Sequence, residues 1–143
     1  MNRFLLEIIT PQRKAFSEEV TSVTVPTPTG LIEVLAKHEP LFTSLADGEL
    51  KIGAGGKQYF LAIGGGFMEV RPNNTVTVLV SRAVHADEVN ETEIKKAMDS
   101  AKSLIARKVS GDEMAAAVAI LRRSMLELKV ARRRKSHPFG NVS

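Results

Sequence analysis

The sequence predicts an α+β fold: an N-terminal antiparallel β-sandwich followed by a C-terminal antiparallel α-helical hairpin. Three observations carry that expectation. Up to about residue 83, short β-rich runs are punctuated by turn residues. From Asp87 onward the apolar period becomes that of a helix. Charge divides at the same place: residues 1–85 carry 8 Lys/Arg against 8 Asp/Glu, whereas residues 114–143 carry 7 against 1. A neutral front half is thus followed by a basic helix, and the expected division is a sandwich over 1–86 and a hairpin over 87–143.

The five clearest strands are Phe4 to Ile9, Val20 to Val25, Leu31 to Leu35, Lys57 to Ile63 and Thr75 to Val80. Their separators are Thr10-Pro11, Pro26-Thr27-Pro28-Thr29-Gly30, Asp47-Gly48, Gly53-Ala54-Gly55-Gly56 and Pro72-Asn73-Asn74, residue types whose backbone preferences end a strand. Alternation places Val76, Val78 and Val80 on one face with Thr75 and Thr77 on the other, and Tyr59, Leu61 and Ile63 likewise share a face. One face of each strand is therefore core. Many short strands at this spacing predict a sandwich or flattened barrel.

In the second half, Asn90 with Glu93 three residues later forms a capping-box-like start. Ile94, Ala97, Met98, Ala101, Leu104 and Ile105 then recur at steps of three and four. Ser110-Gly111-Asp112 breaks this helix, and Ser110 with Glu113 repeats the cap spacing. Met114, Val118, Leu121, Met125 and Leu128 make a second stripe, with Arg122, Lys129 and Arg133 expected on its outer side. A short break between two striped helices predicts a hairpin, with the tail from Ser136 expected to fray.

Composition argues against chemistry by this chain alone. Without Cys there is no disulfide, thiolate metal site or cysteine nucleophile, and His38, His85 and His137 have no spacing that pairs them as metal ligands. Trp is absent and Tyr59 is the single tyrosine, so stacking on nucleic-acid bases is poorly supplied. The run Phe4 to Ile9, interrupted by Glu7, is far shorter than the roughly 20 residues of a membrane helix. Gly64-Gly65-Gly66 leads into a strand-like run rather than a helix, which favours a bulge or close strand crossing over a phosphate cradle. Gly55-Gly56-Lys57-Gln58 lacks the Ser or Thr that follows the lysine of a phosphate loop. His38 reads equally as an interface residue or as part of a satisfied turn.

Gly30-Leu31-Ile32-Glu33-Val34-Leu35-Ala36-Lys37-His38-Glu39-Pro40-Leu41 resembles the G-E-L-G-I-L-P-G-H-x-P-L segment of the epsilon subunits of rotary proton-translocating ATP synthases. Gly65-Gly66-Phe67-Met68-Glu69-Val70 resembles that family's G-G-x-x-E-V. Thr75 to Leu79, Ala83 and the two capped helices complete the order, so the resemblance covers nearly the whole chain. It implies the same sandwich-plus-hairpin fold. It further implies a noncatalytic central-stalk subunit that couples the gamma subunit to the membrane rotor ring and restrains ATP hydrolysis. Such a subunit would lie peripherally on the cytoplasmic face of the bacterial inner membrane.

Carried over by position, the ring and gamma interface falls on Gly30, His38, Pro40 and Leu41. Glu33 and Lys37 are candidates for a changed charge arrangement, because Leu31 stands at the motif's Glu, Glu33 at its second Gly and Ala36-Lys37 at its Pro-Gly pair. The resemblance also implies that a released basic helix meets an acidic segment of a catalytic beta subunit through Arg122, Arg123, Lys129, Arg132, Arg133 and Arg134. Some members bind ATP through an I/L-D-x-x-R-A motif, which aligns here on Asp112 to Ala117. Glu113 replaces its Asp, Ala116 stands at its Arg, and Arg123 matches a later basic position. Loss of that charge-assisted phosphate partner, worth about 1.5–3 kcal/mol, predicts weak ATP binding or none, and no cofactor is expected.

The alternative is a stand-alone β-sandwich adaptor whose basic helix binds RNA or anionic membrane. A small hydrolase is a third reading, but no Ser sits in a G-x-S-x-G turn.

Overall fold

The structure, a computed structural model, describes residues 2–136, with the backbone alone for 134–136. The expected frayed tail, including His137, and the side chain of Arg134 lie outside the described residues.

Ten strands come first. They are β1 (Phe4–Ile9), β2 (Lys14–Val20), β3 (Ser22–Thr27), β4 (Gly30–Leu35), β5 (Leu41–Leu45), β6 (Gly48–Ala54), β7 (Lys57–Ile63), β8 (Gly66–Arg71), β9 (Thr75–Val80) and β10 (Ala83–His85). A 3-10 turn at Ala86–Glu88 leads into α1 (Glu91–Ala106) and α2 (Gly111–Ser136). One sheet has the order β2-β1-β9-β8-β5 and the other β10-β7-β6-β3-β4. All pairings are antiparallel except one: β1 runs parallel to β9, with Leu5 opposite Thr75 and Ile9 opposite Leu79. The sandwich is thus mixed at one seam. A parallel pair requires a long crossover, and β2 to β8 supply it.

The expected single run from Val20 to Val25 is two strands. Chain direction changes at Thr21, whose amide and hydroxyl both donate to the Gly53 carbonyl at 2.8 Å. At the β6–β7 hairpin, Gly55 and Gly56 take φ of +58° and +88°, the paired positive angles that a tight two-residue hairpin favours.

The core fills the space between the sheets. Phe4, Leu6 and Ile8 of β1 meet Leu50 and Ile52 of β6, Leu61 and Ile63 of β7 and Val23 and Val25 of β3 in one cluster. Val76, Val78 and Val80 share its inward face, as their alternation requires. The triple glycine is a close strand approach: a Cβ on Gly66 would collide with the Leu79 carbonyl and come within 2.8 Å of the Val80 Cα. The Gly65 amide donates to Asp47 Oδ1 at 2.7 Å.

At the start of α1, Asn90 accepts a hydrogen bond from the Glu93 amide, as its spacing predicts. The second helix starts differently. It opens on Gly111, whose φ of +58° is a left-handed angle that glycine adopts readily. Its buried face also departs from the expected stripe. Met125 is 56% exposed, whereas Ala117, Ser124, Leu128, Val130 and Ala131 are buried. The reason is that α2 serves two neighbours, α1 on one side and the sandwich on the other. Leu126 and Val130 pack on Phe60 and Ala62 of β7 and on Ala86, covering the outer face of the second sheet. Burial of a valine-sized side chain contributes about 1.5–3 kcal/mol, so a docked helix gains appreciably from this strip.

Candidate functional site

The interface segment expected from sequence is divided by the fold. Gly30 forms the tip of the β3–β4 hairpin, at φ +134°, where the Thr27 hydroxyl donates to its carbonyl at 2.6 Å. Lys37, His38, Pro40 and Leu41 lie beyond the far end of β4, which at about 3.3 Å per residue is roughly 17 Å away. Glu33 lies between them on the outer edge of β4, flanked on the same face by Leu31 (72% exposed) and Leu35 (53% exposed).

The loop after β4 is held in shape by its neighbours. Lys37 adopts φ +63°, and its amide donates to Asn74 Oδ1 at 2.9 Å. Asn74 Nδ2 in turn donates to the Arg3 carbonyl at 2.6 Å, so one side chain joins three segments. The His38 amide donates to the Leu35 carbonyl at 3.2 Å, and its Nδ1–H donates to the Glu39 carbonyl at 2.7 Å. The histidine therefore sits in a satisfied turn. Pro40 is exposed, while Leu41 is half-buried against the sandwich core.

Sequence reasoning missed the outer face of the first sheet. Phe42 of β5 is 67% exposed and stacks on Phe67 of β8, with ring centroids 5.5 Å apart and an interplanar angle of 10°. Strand register continues this patch through Leu79, opposite Phe67, to Ile9. An exposed apolar row of this kind is a candidate docking surface. The signal was present in the alternation of Phe67, Glu69 and Arg71 against Met68 and Val70. It could be read only once the inward set was known.

On the opposite side, α2 meets the second sheet through charge as well as apolar contact. Arg133 Nε and Nη2 each donate to a Glu49 carboxylate oxygen at 2.9 Å, and the guanidinium lies 5.3 Å from the Phe60 ring centroid. Glu49 holds the Arg133 pKa above its ordinary value. The sequence expectation that Arg133 lines the outer side of the helix is thus wrong: at the end of α2 it faces the sandwich. A second pair, Arg82 with Glu127, is looser at 3.6 Å, and burial lowers the Arg82 pKa.

Arg122, Arg123, Lys129 and Arg132 are exposed. Arg122 and Arg123 border a cavity of about 330 Å³ beside Asp47, Arg82, Ile120 and Leu126. Glu113 and Arg123 are not brought together, because they stand ten helical positions apart, about 15 Å along α2. No three metal-ligating side chains converge among the described residues, and among those residues no helix is long and apolar enough to cross a membrane. What the arrangement offers is binding: an open aromatic face, a hydrogen-bonded loop and a basic helix docked through an ion pair and apolar contacts.

Residues 3–86 match the family model of the ATP synthase delta/epsilon chain β-sandwich domain. The chain is 42% identical to an ATP synthase epsilon chain of Dehalococcoides mccartyi, over 96% of this chain and 99% of that one. It is 41% identical to the ATP synthase epsilon chain of Herpetosiphon aurantiacus, over 92% and 96%. Among solved structures it resembles a chain of the Euglena gracilis mitochondrial ATP synthase OSCP/F1/c-ring in rotational state 1. That match has a TM-score of 0.64 and 25% identity, covering 96% of this chain and 82% of that one.

Proposed function

Because the chain belongs to the ATP synthase delta/epsilon family, among its epsilon chains, we propose that it is a noncatalytic subunit of the central stalk that joins the gamma subunit to the membrane rotor ring. In this reading it also restrains ATP hydrolysis through α2. The observation that carries the reading is the opposition of two faces: the chain's own helix covers the second sheet, while the Phe42–Phe67 face of the first sheet stays open. Gamma would take the open aromatic face. The Lys37 to Leu41 loop, held by Asn74, would meet the c subunits of the ring. The exposed arginines of α2 would meet a carboxylate-rich segment of the catalytic beta subunit once the helix is released.

Its place would then be peripheral, on the cytoplasmic face of a bacterial inner membrane and attached through the ring. No nucleotide or metal is needed for this role. Family membership favours it over an adaptor that binds RNA or anionic lipid.

Copurification from the native host tests the proposal. A tagged chain should recover gamma and, from detergent-solubilised membranes, the c subunits. Recovery of RNA with no synthase subunits would overturn it.

A further inference from the structure

The pair of Glu49 and Arg133 joins elements 84 residues apart, and it is asymmetric: the Glu49 side chain is 14% exposed and that of Arg133 41%. The carboxylate stands on β6 and so belongs to the sandwich surface. The guanidinium arrives with the helix. Both donor atoms are used on the two carboxylate oxygens, and Phe60 lies against the cation, so the contact is bidentate and partly desolvated. Immediately N-terminal on the helix, Val130 and Leu126 supply the apolar strip. A second ionic contact, Arg82 with Glu127, is long, and Arg82 Nε is buried with no hydrogen-bond partner. Of these two ionic contacts, the Glu49–Arg133 pair has the closer and better-satisfied geometry.

We propose that Glu49 is an internal receptor for Arg133, a latch that sets how often α2 leaves the sandwich and that competes with any outside carboxylate for the same guanidinium. While Arg133 is clamped on Glu49, it cannot give the same bidentate contact to a partner. Docking and partner capture thus exclude each other at this residue. The competition deepens the proposed restraint of hydrolysis and rests on it. The latch itself does not.

Hydrogen exchange on the full-length isolated chain tests the latch. Glu49→Gln keeps the shape of the side chain but removes its charge, and amides of α2 between residues 120 and 133 should exchange about ten-fold faster at low salt. Arg133→Glu should do the same, and combining it with Glu49→Arg should restore slow exchange. Amides of Leu50 and Ile52, in the core, report whether the sandwich stays folded. If Glu49→Gln unfolds them, Arg133→Met makes the same test from the helix side. Parental exchange of α2 in the folded variant, or failure of the reversed pair to restore it, would overturn the latch without touching the assignment to the stalk. In the assembled enzyme the competition predicts lower ATP hydrolysis for Glu49→Gln. Unchanged hydrolysis alongside faster α2 exchange would overturn the competition alone.

Discussion

Arg13 grips Glu88 across 75 residues of chain, its Nη1 and Nη2 each donating to a carboxylate oxygen at 2.8 Å. The same guanidinium donates to the Ala83 carbonyl, and Glu88 accepts from the His85 amide. The clasp therefore fixes the point at which the chain leaves the sandwich for the hairpin.

Acid should loosen this exit. Arg13, with help from the His85 amide, depresses the Glu88 pKa to about 2 from an ordinary 4.5. A depressed carboxylate stabilises the fold fully above its unfolded pKa and loses that contribution as pH falls through the folded value. The window is thus about pH 4.5 down to 2. Both side chains are over a third exposed, so the contribution, screened by solvent, is at most about 1 kcal/mol. Protection factors of the Val89 and Ile94 amides, which remove the intrinsic pH dependence of exchange, should fall in the parent across this window and stay nearly flat in Glu88→Gln.

Gly66→Ala should destabilise the sandwich by about 2–4 kcal/mol, because its methyl group would enter the Leu79 backbone and no flexible side chain can yield. Urea unfolding measures this. A cost below about 1 kcal/mol would mean that β8 and β9 separate more easily than their packing indicates.

Phe42→Ala should leave the isolated chain within about 1 kcal/mol of the parent, since the ring is mostly exposed. It should nevertheless weaken recovery of gamma at least ten-fold in a binding assay, as loss of an aromatic anchor does. Unimpaired gamma binding would move that interface elsewhere.

Much of the fold was legible because strand alternation and helix period are local signals. Val76, Val78 and Val80 point inward and Asn90 caps α1, as their spacing requires. Strand β2 was not legible: Lys14 to Val20 buries just Phe16 and Val20 in the core, with Ala15 half-buried beside them, and its glutamates protect an edge instead. The site was harder still. Whether Arg133 faces solvent or Glu49 depends on where β6 lies in space, and no helical wheel contains that information.

Neutralising Arg122, Arg123 and Lys129 together should raise ATP hydrolysis by the assembled enzyme while leaving assembly intact, because these side chains are exposed and the proposed role assigns docking to the sandwich. A few-fold increase in steady-state hydrolysis is expected. Wild-type hydrolysis in the triple variant, with activation still seen on deletion of residues 112–143, would mean that the helix blocks rotation by bulk rather than by charge.

Calorimetry should find ATP binding to the isolated chain weaker than micromolar. Ala116 offers phosphate no donor, and Arg123 is about 15 Å along the helix from Glu113. Submicromolar affinity would require a different set of ligands.

The parallel seam between β1 and β9 has a consequence for biogenesis. Strand β1 acquires its inner neighbour only when Thr75 to Val80 has left the ribosome. Until then β1 has β2 on one side and an unfilled hydrogen-bonding edge on the other, carried by the apolar run Phe-Leu-Leu-Glu-Ile-Ile. Such distant pairing makes closure slow and leaves the nascent chain adhesive. The first sheet is therefore sealed late, and a ribosome stalled before residue 75 would display a sticky half-sheet to the chaperones that meet it.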